Sequence, residues 1–217
     1  LHSAKGHGWK PGVLQEQPPV SVFAAIGDLP ALRSRISKGG DDDQKWTSFL
    51  IQHCKELAKE ARLKRHGLFD LAEVLASVPA RADVAKYASN IQLRSYLPPE
   101  CCPKLLADWY SSNGTAKQLR HFMNHEARGH MKSDLRRYVY AAAFAEVKGI
   151  SPKGHKEFAL AGLAPNHENW RSGKFADRFR VQLKDCPSTT ITSHISKDGH
   201  YFIHYEPAQS RTLTVRE

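Results

Sequence analysis

Long apolar runs are missing from this sequence: nothing in its 217 residues approaches the roughly 20 consecutive apolar residues that a membrane-crossing helix needs. Residues 1–10 hold no apolar core of the kind a secretory signal requires. Cysteine is scarce as well. The four are Cys54, Cys101, Cys102 and Cys186, and the adjacent pair is poorly placed to bridge itself. A disulfide scaffold is therefore not expected, nor is a membrane partner; a cytoplasmic setting is. Metal-ligand spacing is thin too. His121 and His125 are four apart, but His125-Glu126 with His130 does not make His-Glu-x-x-His, and Cys101-Cys102 lacks the spacer of a zinc finger. No metal is expected. Internal repeats and low-complexity tracts are absent, which argues against a solenoid or a linker-like chain.

What is present is a core and an excess of positive charge. A hydrophobic content of 41% over 217 residues suffices to bury a core. Lys and Arg number 32 against 22 Asp and Glu, for a net charge of +10. The excess is local: residues 61–180 carry 20 basic and 11 acidic residues, residues 1–60 are net +1, and residues 181–217 are neutral. A basic middle between near-neutral ends suggests an electrostatic footprint for a polyanion and reads equally as a solvated, soluble surface; charge alone does not separate DNA from RNA.

Along the chain, Pro11, Gly12, Pro18 and Pro19 forbid regular helix at the front, and residues 20–26 read as a short strand or turn. Asp41-Asp42-Asp43 then opens a helix in which Trp46, Phe49, Leu50, His53, Cys54, Leu57 and Ala61 repeat at helical spacing. Further helices are expected at 68–78 (halted by Pro79), 81–96, 104–111 and 115–124. Another is expected at 134–148, with Ser133 as N-cap and Gly149 as stop. After Pro165 the pattern turns β-like at 175–183, 189–194 and 201–205. Asp198-Gly199 marks a hairpin between the last two. The fold class expected is α+β: a helical middle with a small C-terminal β-sheet or hairpin.

The last third is also where a family resemblance is sharpest. Pro187-Ser188-Thr189-Thr190-Ile191-Thr192-Ser193-His194-Ile195-Ser196-Lys197-Asp198-Gly199-His200-Tyr201-Phe202-Ile203-His204, leading into Arg211-Thr212-Leu213-Thr214-Val215-Arg216-Glu217, resembles the DNA (cytosine-5) methyltransferases. The closing heptad looks like the opening of that family's ninth conserved motif, which continues into a helix and organises the target-recognition domain against the catalytic domain. Phe175-Ala176-Asp177-Arg178-Phe179-Arg180-Val181-Gln182 and Asn124-His125-Glu126-Ala127-Arg128-Gly129-His130 are similar to the family, as is Asp134-Leu135-Arg136-Arg137-Tyr138. Ala25-Ile26-Gly27-Asp28-Leu29-Pro30 resembles the segment after the eighth motif.

The same resemblance shows what the sequence does not carry. The family's Pro-Cys nucleophile, Phe-x-Gly-x-Gly cofactor loop, Glu-Asn-Val carboxylate and Gln-x-Arg-x-Arg motif are not found, and Cys102 and Cys186 precede proline rather than follow it. Glu168-Asn169-Trp170 lies on the wrong side of the recognition region to serve as Glu-Asn-Val. The resemblance therefore implies a target-recognition fragment of a longer, restriction–modification enzyme, cut off after Glu217 and without the Rossmann-like catalytic domain. Residues 1–45 would be an extended linker from that domain, 46–165 the helical part, and 166–217 the hairpin part and the start of the ninth motif. The chain alone would be inactive and hold no cofactor, S-adenosylmethionine belonging to the parent enzyme. Its partners would be double-stranded DNA and the parent's catalytic domain, and a monomer is expected. A stand-alone DNA-binding or regulatory protein built on the same module is the alternative.

Candidate DNA contacts follow from chemistry: Arg pairs with guanine edges, while Lys and Arg grip phosphates. They are Arg128, Arg137, Arg171, Lys174, Arg178, Arg180, His194, Lys197, His200 and His204. The histidines read equally well as hydrogen-bonded structural groups at a domain joint, and Arg178 or Arg180 as a partner of Asp177. Arg211, Thr214, Arg216 and Glu217 are the domain-organising residues that the ninth-motif resemblance implies.

Overall fold

The acidic opening of the long helix works as its composition suggests. In the computed structural model, Asp42 caps helix α2 (Asp43–Ala61) by accepting the Lys45 N–H at 2.6 Å. Trp46, Leu50, His53, Cys54, Leu57, Ala58 and Ala61 form its buried stripe. The structure describes residues 16, 18–63, 66–85, 88–89, 124–166, 168–170, 172 and 177–217. The expected helices at 104–111 and 115–124, and most of 81–96, lie outside those residues.

Before α2 come helix α1 (Val22–Ile26) and strand β1 (Arg35–Ile36). Residues 20–26 are thus helical rather than a strand or turn. The Ser21 hydroxyl accepts the Ala24 N–H at 3.1 Å, and that cap with the burial of Val22 and Ile26 favours the helix. Helix α3 (Phe69–Ala85) runs through Pro79 instead of stopping at it. Leu71, Ala72, Leu75, Val78 and Ala82 are all buried in the main core, so packing outweighs the hydrogen bond that proline removes.

Strand β2 (Gly129–His130) pairs in parallel with β1, and helix α4 (Lys132–Lys148) follows it. Helix α4 starts two residues before the expected Asp134, with Met131 rather than Ser133 at the N-cap and no side-chain bond there. Its end is as expected: Gly149 adopts φ 67°, the left-handed turn that glycine takes without strain. The face formed by Leu135, Tyr138, Val139, Ala142 and Ala145 is buried, and α4 packs against α2, α3 and the C-terminal segment. A short helix α5 (Gly154–Glu157) leads to an aromatic cluster in which the Phe158, Trp170 and Phe179 rings lie 5.7–6.2 Å apart.

The architecture is α+β, and among the described residues no Rossmann-type sheet is found. The C-terminal strand pairing differs from the hairpin read in the sequence. Asp198-Gly199 does make the turn, with Gly199 at φ 68° and Asp198 accepting the His200 N–H. Residues 201–204, however, pair on one side with 180–182 and on the other with 211–213. The Ile203 N–H donates to the Arg180 carbonyl, and the His204 N–H to the Arg211 carbonyl. With both edges of that segment taken, 189–192 is irregular and Ser193–Ser196 coils into a 3-10 turn.

Candidate nucleic-acid interface

The closing heptad is held by a buried ion pair. Arg211 is 1% exposed, and its guanidinium donates to both Glu217 oxygens at 2.6 Å each. The remaining donors go to the Gln209 Oε1 and the Thr212 carbonyl. Gln209 Oε1 also accepts the Leu32 N–H from the front of the chain. Burial opposes charge on Glu217, but Arg211 prevails and holds the carboxyl at about 2. Thr214 closes the loop: its N–H donates to Glu217, and its hydroxyl lies 3.2 Å from the His125 ring, whose other nitrogen meets the Pro30 carbonyl. The Arg216 N–H donates to the Asn124 carbonyl. Arg211, Thr214, Arg216 and Glu217 thus tie the C-terminal heptad to residues 30–32 and 124–125.

Three of the candidate contacts face inward. Arg137 is 7% exposed and spends its guanidinium on Asp134 and on the carbonyls of Leu163 and Ala164. His200 is buried beside Phe179, with its Nδ1 2.5 Å from the Tyr138 hydroxyl and its Nε2 3.5 Å from Asp198. His204 stacks on Tyr205 and lies 3.8 Å from Glu217; burial and the nearby Arg211 depress its pKa to about 3. These three serve as internal hydrogen-bonding groups in this structure.

Four others reach solvent around one turn. The Arg128 guanidinium donates to the Lys197 carbonyl at 3.2 Å, and Lys197 itself is exposed. Arg178 lies 3.7 Å from Asp198 and over the Phe179 ring. Arg180 is half-buried, donates to the Tyr201 hydroxyl at 2.8 Å, and has no carboxylate partner among the described residues. The fold thus brings Arg128, Arg178 and Lys197 together at the 197–198 turn, with Arg180 one strand position further along. Arg171 and Lys174 lie outside the described residues, as does the side chain of His194.

A buried polar set joins this turn to the sheet and escaped sequence reasoning. His130 lies 2.8 Å from the Ser34 hydroxyl and packs edge-on against Tyr138. Burial depresses His130 to about 4 and pushes the Tyr138 hydroxyl well up. The partners stand far apart in sequence, so no local spacing announces them. Cys54 offers no nucleophile, because burial raises its thiol to about 12. Among the described residues no cluster of His, Cys, Asp or Glu could hold a metal ion, and no helix is long and apolar enough to cross a membrane. With Arg128, Arg178 and Lys197 at its rim, the turn carries the charge to grip an anion.

Comparison with known proteins gives one informative match. The chain is 40% identical over 96 residues to the Type II methyltransferase M.Bpa9945I of Bacillus paralicheniformis. Over that stretch this chain is related to a methyltransferase. The match covers 44% of this chain but 20% of the relative, so the relative is much longer than the shared segment. No family model matches the chain, and no solved structure does.

Proposed function

We propose that this chain is the target-recognition part of a DNA (cytosine-5) methyltransferase. It holds duplex DNA while the parent enzyme moves a methyl group from S-adenosylmethionine to cytosine C5. The observation that carries the reading is the 96-residue likeness to a Type II methyltransferase in a sequence without the Pro-Cys nucleophile or the Phe-x-Gly-x-Gly loop. The cations at the 197–198 turn supply the physical means.

The division of labour is chemically sound. Reaching C5 and C6 requires the cytosine to leave the stack, which costs a few kcal/mol, and the duplex must be held while that happens. Arg128, Arg178, Arg180 and Lys197 grip phosphates or base edges, joined by Arg171, Lys174 and His194. The buried Arg211–Glu217 pair keeps the heptad positioned toward the catalytic domain of the same polypeptide. The chain acts as a monomer in this role, in the cytoplasm, as the target-recognition fragment of a restriction–modification methyltransferase.

The test is a paired assay on the 217-residue chain. It should bind duplex DNA in a salt-sensitive way yet transfer no labelled methyl group from S-adenosylmethionine to that DNA. Methyl transfer by this chain alone, or the absence of any DNA binding, would overturn the reading.

A further inference from the structure

A second cationic surface adds Lys153 and Lys156 to the cations considered so far. An open groove of about 520 Å³ runs beside the 181–187 segment, with Lys153, Lys156 and Arg180 on its walls. It is built on α5, where Lys153 is the N-cap and Lys156 lies within the helix. Both lysines are exposed, and neither ammonium forms an ion pair among the described residues. Glu157, the acidic residue of the groove, turns its carboxylate back to the Lys153 backbone N–H at 2.5 Å, so part of its charge is spent locally.

The floor mixes polar groups with the apolar Ile150, Val181, Leu183 and Pro187. Gln182 is 1% exposed, donates to the Tyr201 carbonyl, and accepts from the Thr189 N–H. The Ser151 hydroxyl accepts the Val181 N–H. Arg180, which donates to the Tyr201 hydroxyl, lines this groove and lies on the segment that pairs with residues 200–203, just after the 197–198 turn.

Resting on the DNA-holding function above, we infer that this groove carries a second stretch of the duplex's phosphate backbone, gripped by Lys153, Lys156 and Arg180. The contact is to phosphodiester oxygens and carries no base information. Lysine suits that role, being a flexible point charge that satisfies an anion without demanding a fixed geometry. Arg180 lines the groove and stands two residues after Arg178, which meets Asp198 at the turn, so the two surfaces are neighbours along one track.

The experiment is a titration of the full chain against a fluorescein-labelled duplex of arbitrary sequence, from low to moderate salt. It is repeated with K153A/K156A, K153R/K156R and K55A/K59A, the last removing two exposed cations on α2. K153A/K156A should lower the slope of log affinity against log salt by roughly 1 per lysine, equally for every duplex sequence. K153R/K156R should keep the original slope, and K55A/K59A should leave it unchanged. An unchanged slope in K153A/K156A, with binding by the parent chain intact, would overturn the groove alone. An equal fall in K55A/K59A would reduce the effect to general charge and overturn it as well. No binding by the parent chain would overturn the groove together with the function it rests on.

Discussion

Arg211 and Lys156 carry the same charge in solution, yet the fold treats them in opposite ways. Arg211 is 1% exposed and fully committed to Glu217, Gln209 and Thr212, whereas Lys156 stands in an open groove without an ion-pair partner among the described residues. The contrast extends to their surroundings. Arg33, Arg81, Arg136 and Arg137 each meet a carboxylate within the fold, while Arg128, Arg180, Lys153, Lys156 and Lys197 meet none among the described residues. Net charge therefore does not say which cations are open to a partner; in the proposed DNA-holding role the unpaired ones, with the half-exposed Arg178 at 3.7 Å from Asp198, are the ones placed to grip. The paired ones hold the shape that presents them.

Breaking the buried side should cost the most. R211A leaves Glu217 charged and enclosed, and removing one partner of such a pair destabilises by about 3–5 kcal/mol. A denaturant melt should show that loss, and a hydrophobic pair such as R211M/E217L should recover much of it. A recovery no better than R211A would mean that the lock works through something other than its charge.

Acid should act on the same side. His204 is held at about 3 and His53 and His130 at about 4, against 6.5 in an unfolded chain. The unfolded chain thus binds more protons below pH 6.5, so stability is complete above that value and falls as pH drops toward 4. Glu217, depressed to about 2 from 4.5, adds its own loss only below pH 4.5. Melting temperature followed from pH 7 to pH 4 should fall steadily, and H204A, less stable at every pH because it leaves a cavity, should fall less steeply; a flat profile of the unsubstituted chain would contradict the buried neutral histidines.

Y138F is a milder change. It removes a hydroxyl that lies 2.5 Å from His200 Nδ1 and should cost about 1–3 kcal/mol while leaving the surface cations in place. Its DNA affinity should track its stability and nothing more. Substitution at the surface turn should be the reverse: R128A and K197A should change stability by no more than about 0.5 kcal/mol, since neither residue is buried or ion-paired. Each should still lower the salt slope of DNA binding by roughly 1.

Much of the helical framework was legible in the sequence, and for a clear reason. The stripe from Trp46 to Ala61 and the stop at Gly149 are local signals, and tertiary packing agrees with them. Pro79 misled because a local penalty of a few kcal/mol yields to a fully buried face. The hairpin misled for a different reason. Asp198-Gly199 does turn the chain, but the partner of 201–204 is decided by 180–182 and 211–213, which a local turn signal does not report. The candidate contact Arg137 and its neighbour Arg136 look interchangeable in sequence, and both meet a carboxylate within the fold. Asp134, three residues before Arg137, was the available sign that Arg137 would be paired internally.

The most direct measurement is the affinity of the 217-residue chain for an unmodified duplex between about 50 and 200 mM salt, the range over which phosphate contacts reveal themselves. Comparing it with R128A/K197A and with R137A corrected for its stability separates the open cations from the buried one. The expected result is a steep linear fall of log affinity with log salt, shallower in R128A/K197A and unchanged in slope in R137A. Absent or salt-independent binding, or a slope that responds to Arg137 and not to Arg128 and Lys197, would contradict it.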